Sequence, residues 1–284
     1  MGKIFDALEK SKKKQKASVV SLKALDNAEN GMRAKQVSPS VGKKALYDAN
    51  KIDKNLFALL KPQSFEAEQF KILRTNLLFP VSGKSPRSII VTSSVPDEGK
   101  SFVTANLAIS IAQNIQDHVL IIDCDMRKPC IHSLFGFGNV PGLSEYLSKG
   151  TDLSSLLLKT KVNKLTILPA GKPPHNPSEL MSSHQMSRLL EEVKVRYSDR
   201  YIIIDSPPPM LTAETSAISR QVDGILLVVK YGSTPRKMVS DLIEIMGKEK
   251  ILGIILNKFD MRFSGYFGHG KYGKYSKYYD NYTK

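Results

Sequence analysis

Apolar positions along this chain fall into short solid runs rather than alternating ones. The runs at residues 88–92, 119–122, 165–168, 201–204, 225–229 and 251–256 are rich in Ile, Val and Leu and nearly free of charge. Runs of this length, apolar at successive positions, predict strands buried on both faces, the habit of a parallel sheet. Most of the intervening stretches are long enough to hold a crossover helix. Ahead of the first run, residues 64–79 place Phe70, Leu73, Leu77 and Leu78 for burial on a helix, with Glu66 and Glu68 near its start, where a helix favours acids. The expectation is one α/β domain over residues 62–260, a parallel sheet flanked by helices.

Both ends break the pattern. Residues 1–61 contain a lysine run (Lys12, Lys13, Lys14 and Lys16) and little sustained periodicity, which predicts a basic, mostly disordered leader. Its cluster at 56–60 is too short to assign alone and is open to packing on the domain that follows. Within residues 1–10, Ile4, Phe5 and Leu8 share one helical face, so a short helix there is open to two readings: an anchor for a partner or membrane surface, or a solvated fraying turn. Residues 261–284 are rich in Gly, Lys and Tyr without an apolar pattern, and predict a flexible tail.

Composition narrows the class. Hydrophobic residues at 41% supply a sizeable core and exclude a fibrous or disordered chain. No run approaches the roughly 18 residues needed to cross a bilayer, and no apolar block follows the basic start as a secretory signal requires. Cys124 and Cys130 are the only cysteines, too few for a disulfide scaffold, and point to a reducing compartment. The cytoplasm is the expected location. The formal charge of +15 suggests nucleic-acid binding until it is divided along the chain. Residues 1–61 carry 14 basic and 6 acidic side chains, residues 62–260 carry 23 and 20, and residues 261–284 carry 5 and 1. A near-neutral domain with basic extensions predicts no nucleic-acid partner.

Directly after the first run comes Ser94-Val-Pro-Asp-Glu-Gly-Lys-Ser101, followed by helix-like residues from Phe102. The nucleotide P-loop reads G-x-x-x-x-G-K-[ST]. Gly99, Lys100 and Ser101 fit it, and Ser94 replaces the first glycine. Backbone N–H groups at a helix start cradle phosphate oxygens, so Ser94, Val95, Pro96, Asp97, Glu98, Gly99, Lys100, Ser101 and Phe102 form the expected ATP-binding segment. Lys100 adds a cation for the β- and γ-phosphates, and the Ser101 hydroxyl a ligand for Mg²⁺. The second run ends in Asp123-Cys124-Asp125-Met-Arg127 and the fourth in Asp205-Ser-Pro-Pro208. In a parallel sheet all strand C-termini share one edge, so Asp123, Asp125 and Asp205 should converge on the P-loop. A lone acid at a strand end is more often a cap; three on two strands make a site. Cys124 between them reads as a small core residue.

The tail carries Tyr266, Tyr272, Tyr275, Tyr278, Tyr279 and Tyr282, six of the chain's 11 tyrosines, and three of them follow a lysine in a K-Y-x repeat. Such a segment suits an uninformative end, a stacking surface for single strands, a sticky tail, or a substrate entering an active site. About 20 flexible residues span roughly 25 Å, which makes the last of these geometrically easy.

The whole set resembles the bacterial tyrosine autokinases (BY-kinases) of capsule and exopolysaccharide export. Their P-loop, S-x-x-P-x-E-G-K-[ST], is matched by Ser93, Pro96, Glu98, Gly99, Lys100 and Ser101; their D-x-D-x-R motif by Asp123, Asp125 and Arg127; their D-x-x-P motif by Asp205 and Pro208. The Pro169-Ala-Gly171 stretch, the later Asn176-Pro-Ser-Glu-Leu180 and the tyrosine cluster match as well. The resemblance spans residues 64–284. It implies a P-loop NTPase-type fold and an ATP- and Mg²⁺-dependent kinase that phosphorylates its own tail in trans and regulates exopolysaccharide synthesis or export. Lys100, Asp123, Asp125 and Asp205 would be catalytic, with Asp123 the base or hydroxyl-orienting group, and Ser101, Asp125 and Asp205 would hold the metal. Implied partners are further copies of the chain in a ring, a membrane-bound polysaccharide co-polymerase that recruits or activates it at the inner face of the membrane, and a cognate tyrosine phosphatase.

Two departures stand out. The family's E-x-x-R-x-x-R ring motif reads Glu68, Lys71, Arg74 here, and lysine keeps the charge but loses the bidentate fork. The chain also carries no transmembrane run, as in the detached members of the family. Two other functions remain open on the residues. A partition or cell-division type ATPase shares the fold but places a signature lysine where this chain has Val95. A nucleotide-gated scaffold for an export complex would bind ATP without phosphorylating anything.

Overall fold

The computed structural model describes residues 47–196, 200–212 and 214–259. In chain order the strands are β1 (Tyr47–Ile52), β2 (Ser88–Ser93), β3 (His118–Asp123), β4 (Phe135–Phe137), β5 (Leu158–Lys159), β6 (Leu165–Leu168), β7 (Arg200–Asp205), β8 (Gly224–Lys230) and β9 (Ile251–Asn257). Seven of them form one sheet in the order β5-β6-β3-β7-β2-β8-β9. Its neighbours pair in parallel except β5, which runs antiparallel to β6 at one edge. The six apolar runs are the six parallel strands. β2 is buried at every position, because the sheet is covered on both sides.

The helices are α1 (Phe57–Leu60), α2 (Phe65–Leu78), α3 (Lys100–Ala112), α4 (Ile131–Leu134), α5 (Leu143–Lys149), α6 (Leu153–Leu156), α7 (Pro177–Met181), α8 (His184–Arg196), α9 (Glu214–Ser219) and α10 (Arg236–Met246). Alternate residues of one strand feed two cores. Ile89 and Val91 of β2 join Val103, Leu107 and Ile111 of α3 and Phe70 of α2 on one face. Ile90, between them, joins Leu189, Leu190 and Val193 of α8 on the other. α2 starts where its chemistry predicts: the Ser64 hydroxyl accepts the Ala67 N–H at 3.2 Å, with Glu66 and Glu68 in the first turn. No described helix is long and apolar enough to cross a membrane.

The domain begins earlier than residue 62, which corrects the expected leader over part of its length. β1 pairs antiparallel with β4, and Leu56 and Ala58 are buried. Polar side chains of α3 hold this segment. Asn106, fully buried, accepts the Ala58 N–H on Oδ1 and donates to the Asn55 carbonyl from Nδ2, both at 3.0 Å. Gln113 donates to the Ala58 carbonyl at 2.7 Å. Asn106→Leu keeps the volume but strands a buried N–H and a carbonyl at about 1–3 kcal/mol each. The expected result is a melting temperature lower by roughly 5–10 °C and earlier proteolysis between residues 47 and 60; an unchanged melting curve would contradict this role. The predicted short helix at 1–10 and the rest of the leader to residue 46 lie outside the described residues.

Candidate active site

The loop between β2 and α3 is shaped by backbone that only certain residues adopt. Gly99, the residue before α3, has φ of +93°, and a Cβ on it would stand 2.1 Å from Asn257 Nδ2. Both the left-handed conformation and the close approach call for glycine. The turn places Lys100 and Ser101 at the first positions of a helix whose remaining residues, from Val103 on, are buried. Their side chains therefore sit at a fixed, rigid corner.

Parallel pairing then delivers the acids. Asp123 on β3 and Asp205 on β7 are register partners, and β7 lies between β3 and β2. Lys100 Nζ stands 3.0 Å from Asp125 Oδ2. The Ser101 hydroxyl donates to Asp205 Oδ2 at 2.6 Å, and the Thr104 hydroxyl, one turn further along α3, donates to its Oδ1 at 3.1 Å. Asp123 faces backbone instead of solvent. Its Oδ1 accepts the Asp125 N–H at 3.1 Å, and its Oδ2 accepts the Cys130 and Ile131 N–H groups at 3.3 and 3.2 Å. It thereby fixes the turn that carries Asp125 and Arg127 back toward the P-loop.

Asp123 and Asp205, fully buried in this corner, titrate abnormally. Burial, the largest influence, pushes Asp205 up to about 6 against the pull of Lys100 and the Ser101 hydroxyl. Burial and then the neighbouring Asp205 lift Asp123 well above the usual carboxylate range. Burial alone would lower Lys100, but Asp205 and Asp125 outweigh it and hold the ammonium above its ordinary value. Burial, then Asp205, push the Cys130 thiol to about 12, so it stays protonated and unreactive.

Beside this corner lies a cavity of about 560 Å³, lined on the loop side by Pro96, Asp97, Gly99, Lys100, Ser101 and Phe102; Asp123 and Asp205 are fully buried and do not line it. Asp125, Arg127, Lys128, Cys130 and Thr212 are among the residues across from the loop. Three residues of the expected ATP-binding segment are not in this lining. Ser94 and Glu98 are buried, and the N–H groups of Ser94 and Val95 already donate to the Glu98 carboxylate at 2.7 and 3.1 Å. The loop groups free to meet phosphate thus begin at Pro96. The sequence motifs name Arg127 only as a match without a role at the site, and single out neither Lys128 in the lining nor Thr104 on Asp205. Thr104 carried a readable signal, lying three positions after Ser101 on the same helix. Arg127 is steered by Glu214 of α9, whose Oε1 accepts from its Nε at 3.1 Å, and by the Ser178 hydroxyl at 3.3 Å from Nη2.

Glu68 and Lys71, expected at an oligomer interface, pair with each other at 3.0 Å on α2. Arg74 turns inward, donating from Nη1 to the Ser110 carbonyl at 2.8 Å. One limb of the expected interface is therefore engaged within the subunit. The tail tyrosines Tyr266, Tyr272, Tyr275, Tyr278, Tyr279 and Tyr282 lie outside the described residues.

The residues present fit a nucleotide with Mg²⁺. Lys100, Arg127 and Lys128 supply cations for a polyphosphate. Ser101, Asp205 and Asp125 supply the few hard oxygens that Mg²⁺ takes from protein when phosphates and water complete its shell. The Ser94 hydroxyl is a buried polar atom without a protein partner beside this loop.

Comparison with known proteins agrees. Residues 89–266 match the CobQ/CobB/MinD/ParA nucleotide binding domain family. The tyrosine-protein kinase YwqD of Bacillus subtilis is 34% identical over 210 residues, covering 73% of this chain and 87% of that protein. The tyrosine-protein kinase Wzc of Salmonella typhimurium is 33% identical over 217 residues, covering 76% of this chain but 30% of that longer protein. Among solved structures, the kinase domain of the Escherichia coli tyrosine kinase ETK superposes with a TM-score of 0.68 at 33% identity, covering 73% of this chain and 81% of that one.

Proposed function

The chain belongs to the bacterial tyrosine kinases of the CobQ/CobB/MinD/ParA nucleotide-binding family, and from that premise we propose that it transfers the γ-phosphoryl group of ATP to its own C-terminal tyrosines, in trans between subunits. It is a tyrosine autokinase of capsule or exopolysaccharide biosynthesis. The observation that carries the catalytic reading is a pair of contacts at the sheet edge, Lys100 on Asp125 and Ser101 on Asp205.

The reaction asks the protein mainly for positioning and charge. Lys100 rests on Asp125 and needs only to pivot to a phosphoryl oxygen, so its ammonium exchanges one anion for another. Ser101, Asp205 and Asp125 would hold Mg²⁺, which when bound neutralises charge on the β- and γ-phosphates. The attacking phenol has a pKa near 10. An ordinary aspartate accepts its proton poorly, but burial and Asp205 raise Asp123 and narrow that gap. Asp123 is then the hydroxyl-orienting group, and its long bonds to the Cys130 and Ile131 N–H groups must open for the tyrosine hydroxyl to reach it. Each phosphate adds about −1.5 to −2 charges, so six would take the tail segment from +4 to roughly −5 to −8. An unmodified tail is drawn to an acidic site and a modified one is repelled. Assembly with further copies, recruitment to the membrane by a co-polymerase partner, and reversal by a tyrosine phosphatase belong to the same reading; the large remainder of Wzc beyond the matched region supports the partner.

Incubating the purified full chain with Mg-ATP and mapping phosphate by mass spectrometry tests it. Phosphotyrosine within residues 266–282 is expected. Free phosphate without phosphotyrosine would indicate an ATPase instead, and neither product a scaffold. A rate per molecule that rises with protein concentration is expected for transfer in trans.

A further inference from the structure

Glu98 belongs to the P-loop, yet its side chain points away from the cavity that loop encloses. It is 1% exposed, and four donors converge on its two oxygens. Oε2 accepts the Ser94 and Val95 N–H groups at 2.7 and 3.1 Å. Oε1 accepts the Lys230 N–H at 3.0 Å and the Thr234 hydroxyl. Every partner is a donor, which suits a carboxylate, an acceptor at both oxygens. The first pair lies at the beginning of the P-loop, and the second at the end of β8 and the turn leading into α10.

Two more bonds run the same way. The Glu98 carbonyl accepts from Asn257 Nδ2 at 2.7 Å, and the Asp97 carbonyl accepts from Lys258 Nζ at 3.0 Å. Asn257 is the end of β9, and its Nδ2 occupies the space a Cβ on Gly99 would need. The back of the P-loop is thus sewn to the ends of two strands, while its front is left open to phosphate. Asp97, at φ of +63°, holds a left-handed conformation that a free loop would abandon.

We propose that Glu98 is a positioning residue for nucleotide: it clasps the P-loop to the β8–α10 turn, so that the N–H groups from Asp97 onward, and Lys100 with them, are preset for a polyphosphate. It touches no ligand itself. Glu98→Gln is a sharp test because an amide cannot satisfy four donors. Whichever way it turns, its NH₂ confronts either the Lys230 N–H or the Ser94 and Val95 N–H groups. Thr234→Val removes one donor from the far arm and leaves the loop's own contacts untouched.

The inference rests on the reading of the cavity as an ATP site, and the experiment separates the two. Mg-ATP affinity and autokinase kinetics are measured on the full chain as wild type, E98Q, T234V, T234S and the E98Q/T234V double variant. Expected are a rise in Kd and KM of at least tenfold for E98Q and about threefold to tenfold for T234V. In both, kcat at saturating ATP stays within about threefold of wild type. T234S, which keeps the hydroxyl, should behave as wild type. The double variant should be no weaker than E98Q alone, since both cut one clasp. A merely structural role would lower stability without this KM-against-kcat split or the rescue by serine. Variants within twofold of wild type, a loss confined to kcat, or a T234S as weak as T234V would each overturn the clasp. If E98Q fails to fold, the Thr234 pair decides alone. A wild type that binds no Mg-ATP would overturn the reading of the site instead.

Discussion

Lys100→Met is expected to reduce tail tyrosine phosphorylation by at least a hundredfold to a thousandfold, the range for removing one preorganised charge-stabilising donor from a water-poor site. The reason is local. Lys100 is the only cation within ion-pairing distance of Asp125 among the described residues, and its side chain is 14% exposed. Methionine keeps the length and apolar stem while deleting the charge. Asp125 then loses its ion-pair partner, and Arg127 and Lys128 are left as the cavity's only cations among the described residues to meet an incoming triphosphate. The same change acts on the fold through linkage. Asp205 and Asp125 hold the Lys100 pKa above its ordinary value in the folded state. That contribution is fully present below the ordinary lysine pKa and is lost as pH rises through the folded one. At neutral pH the variant should therefore melt somewhat lower than wild type, and circular dichroism must show it folded before its kinetics are read. Lys100→Arg should restore the melting temperature better than the activity, because a planar fork cannot reproduce a compact ammonium. Phosphotyrosine formation by folded K100M within tenfold of wild type would remove Lys100 from the mechanism.

What could be read ahead of the structure follows physical lines. Strands covered on both faces have no polar side, so their runs were visible without partners, and the six runs became six parallel strands. A parallel sheet has one ligand edge, so Asp123, Asp125 and Asp205 could be gathered at the P-loop from sequence position alone. The failures share a different cause. β1 pairs with β4 across more than 80 residues, and its Tyr-Asp-Ala-Asn-Lys-Ile sequence has neither a solid apolar run nor a clean alternation. Its place is set by β4 and by the Leu134 carbonyl, which accepts the Asp53 N–H at 3.0 Å, and the residues just after it are held by Asn106 and Gln113 on a distant helix. Side-chain direction was equally hidden. Sequence placed Glu98 in an ATP-binding loop, but only the fold shows it turned toward Lys230 and Thr234. Arg74 reads as an oligomer-interface residue until the Ser110 carbonyl is found beside it. Pattern reports which face of an element is buried; it does not report which polar atom waits on the other side.

Asp205→Asn should separate activity from stability in opposite directions. The carboxylate accepts from Ser101 and Thr104 and is the expected anchor of Mg²⁺ beside the phosphates, so the amide should weaken Mg-ATP binding and lower phosphorylation by about a hundredfold or more. In the metal-free protein the same acid is a liability. Burial raises its pKa to about 6 from an ordinary value near 4, a net effect that already includes the favourable pull of Lys100. The folded state therefore binds its proton more tightly than the unfolded chain does. Stability is at its full value below about pH 4 and falls as pH rises through 6, by on the order of 2–3 kcal/mol at completion. Asparagine carries no charge and escapes that loss. Measured without Mg²⁺ or nucleotide, the variant should melt roughly 5–10 °C above wild type at pH 8, and the gap should close between pH 6 and 4. Saturating Mg-ATP should reverse the order at pH 8, because ligand stabilises only the protein that binds it. A variant that melts below wild type at pH 8 without ligand would mean that Asp205, despite its burial, stabilises the empty site; a gap independent of pH would mean that its charge is not the cause.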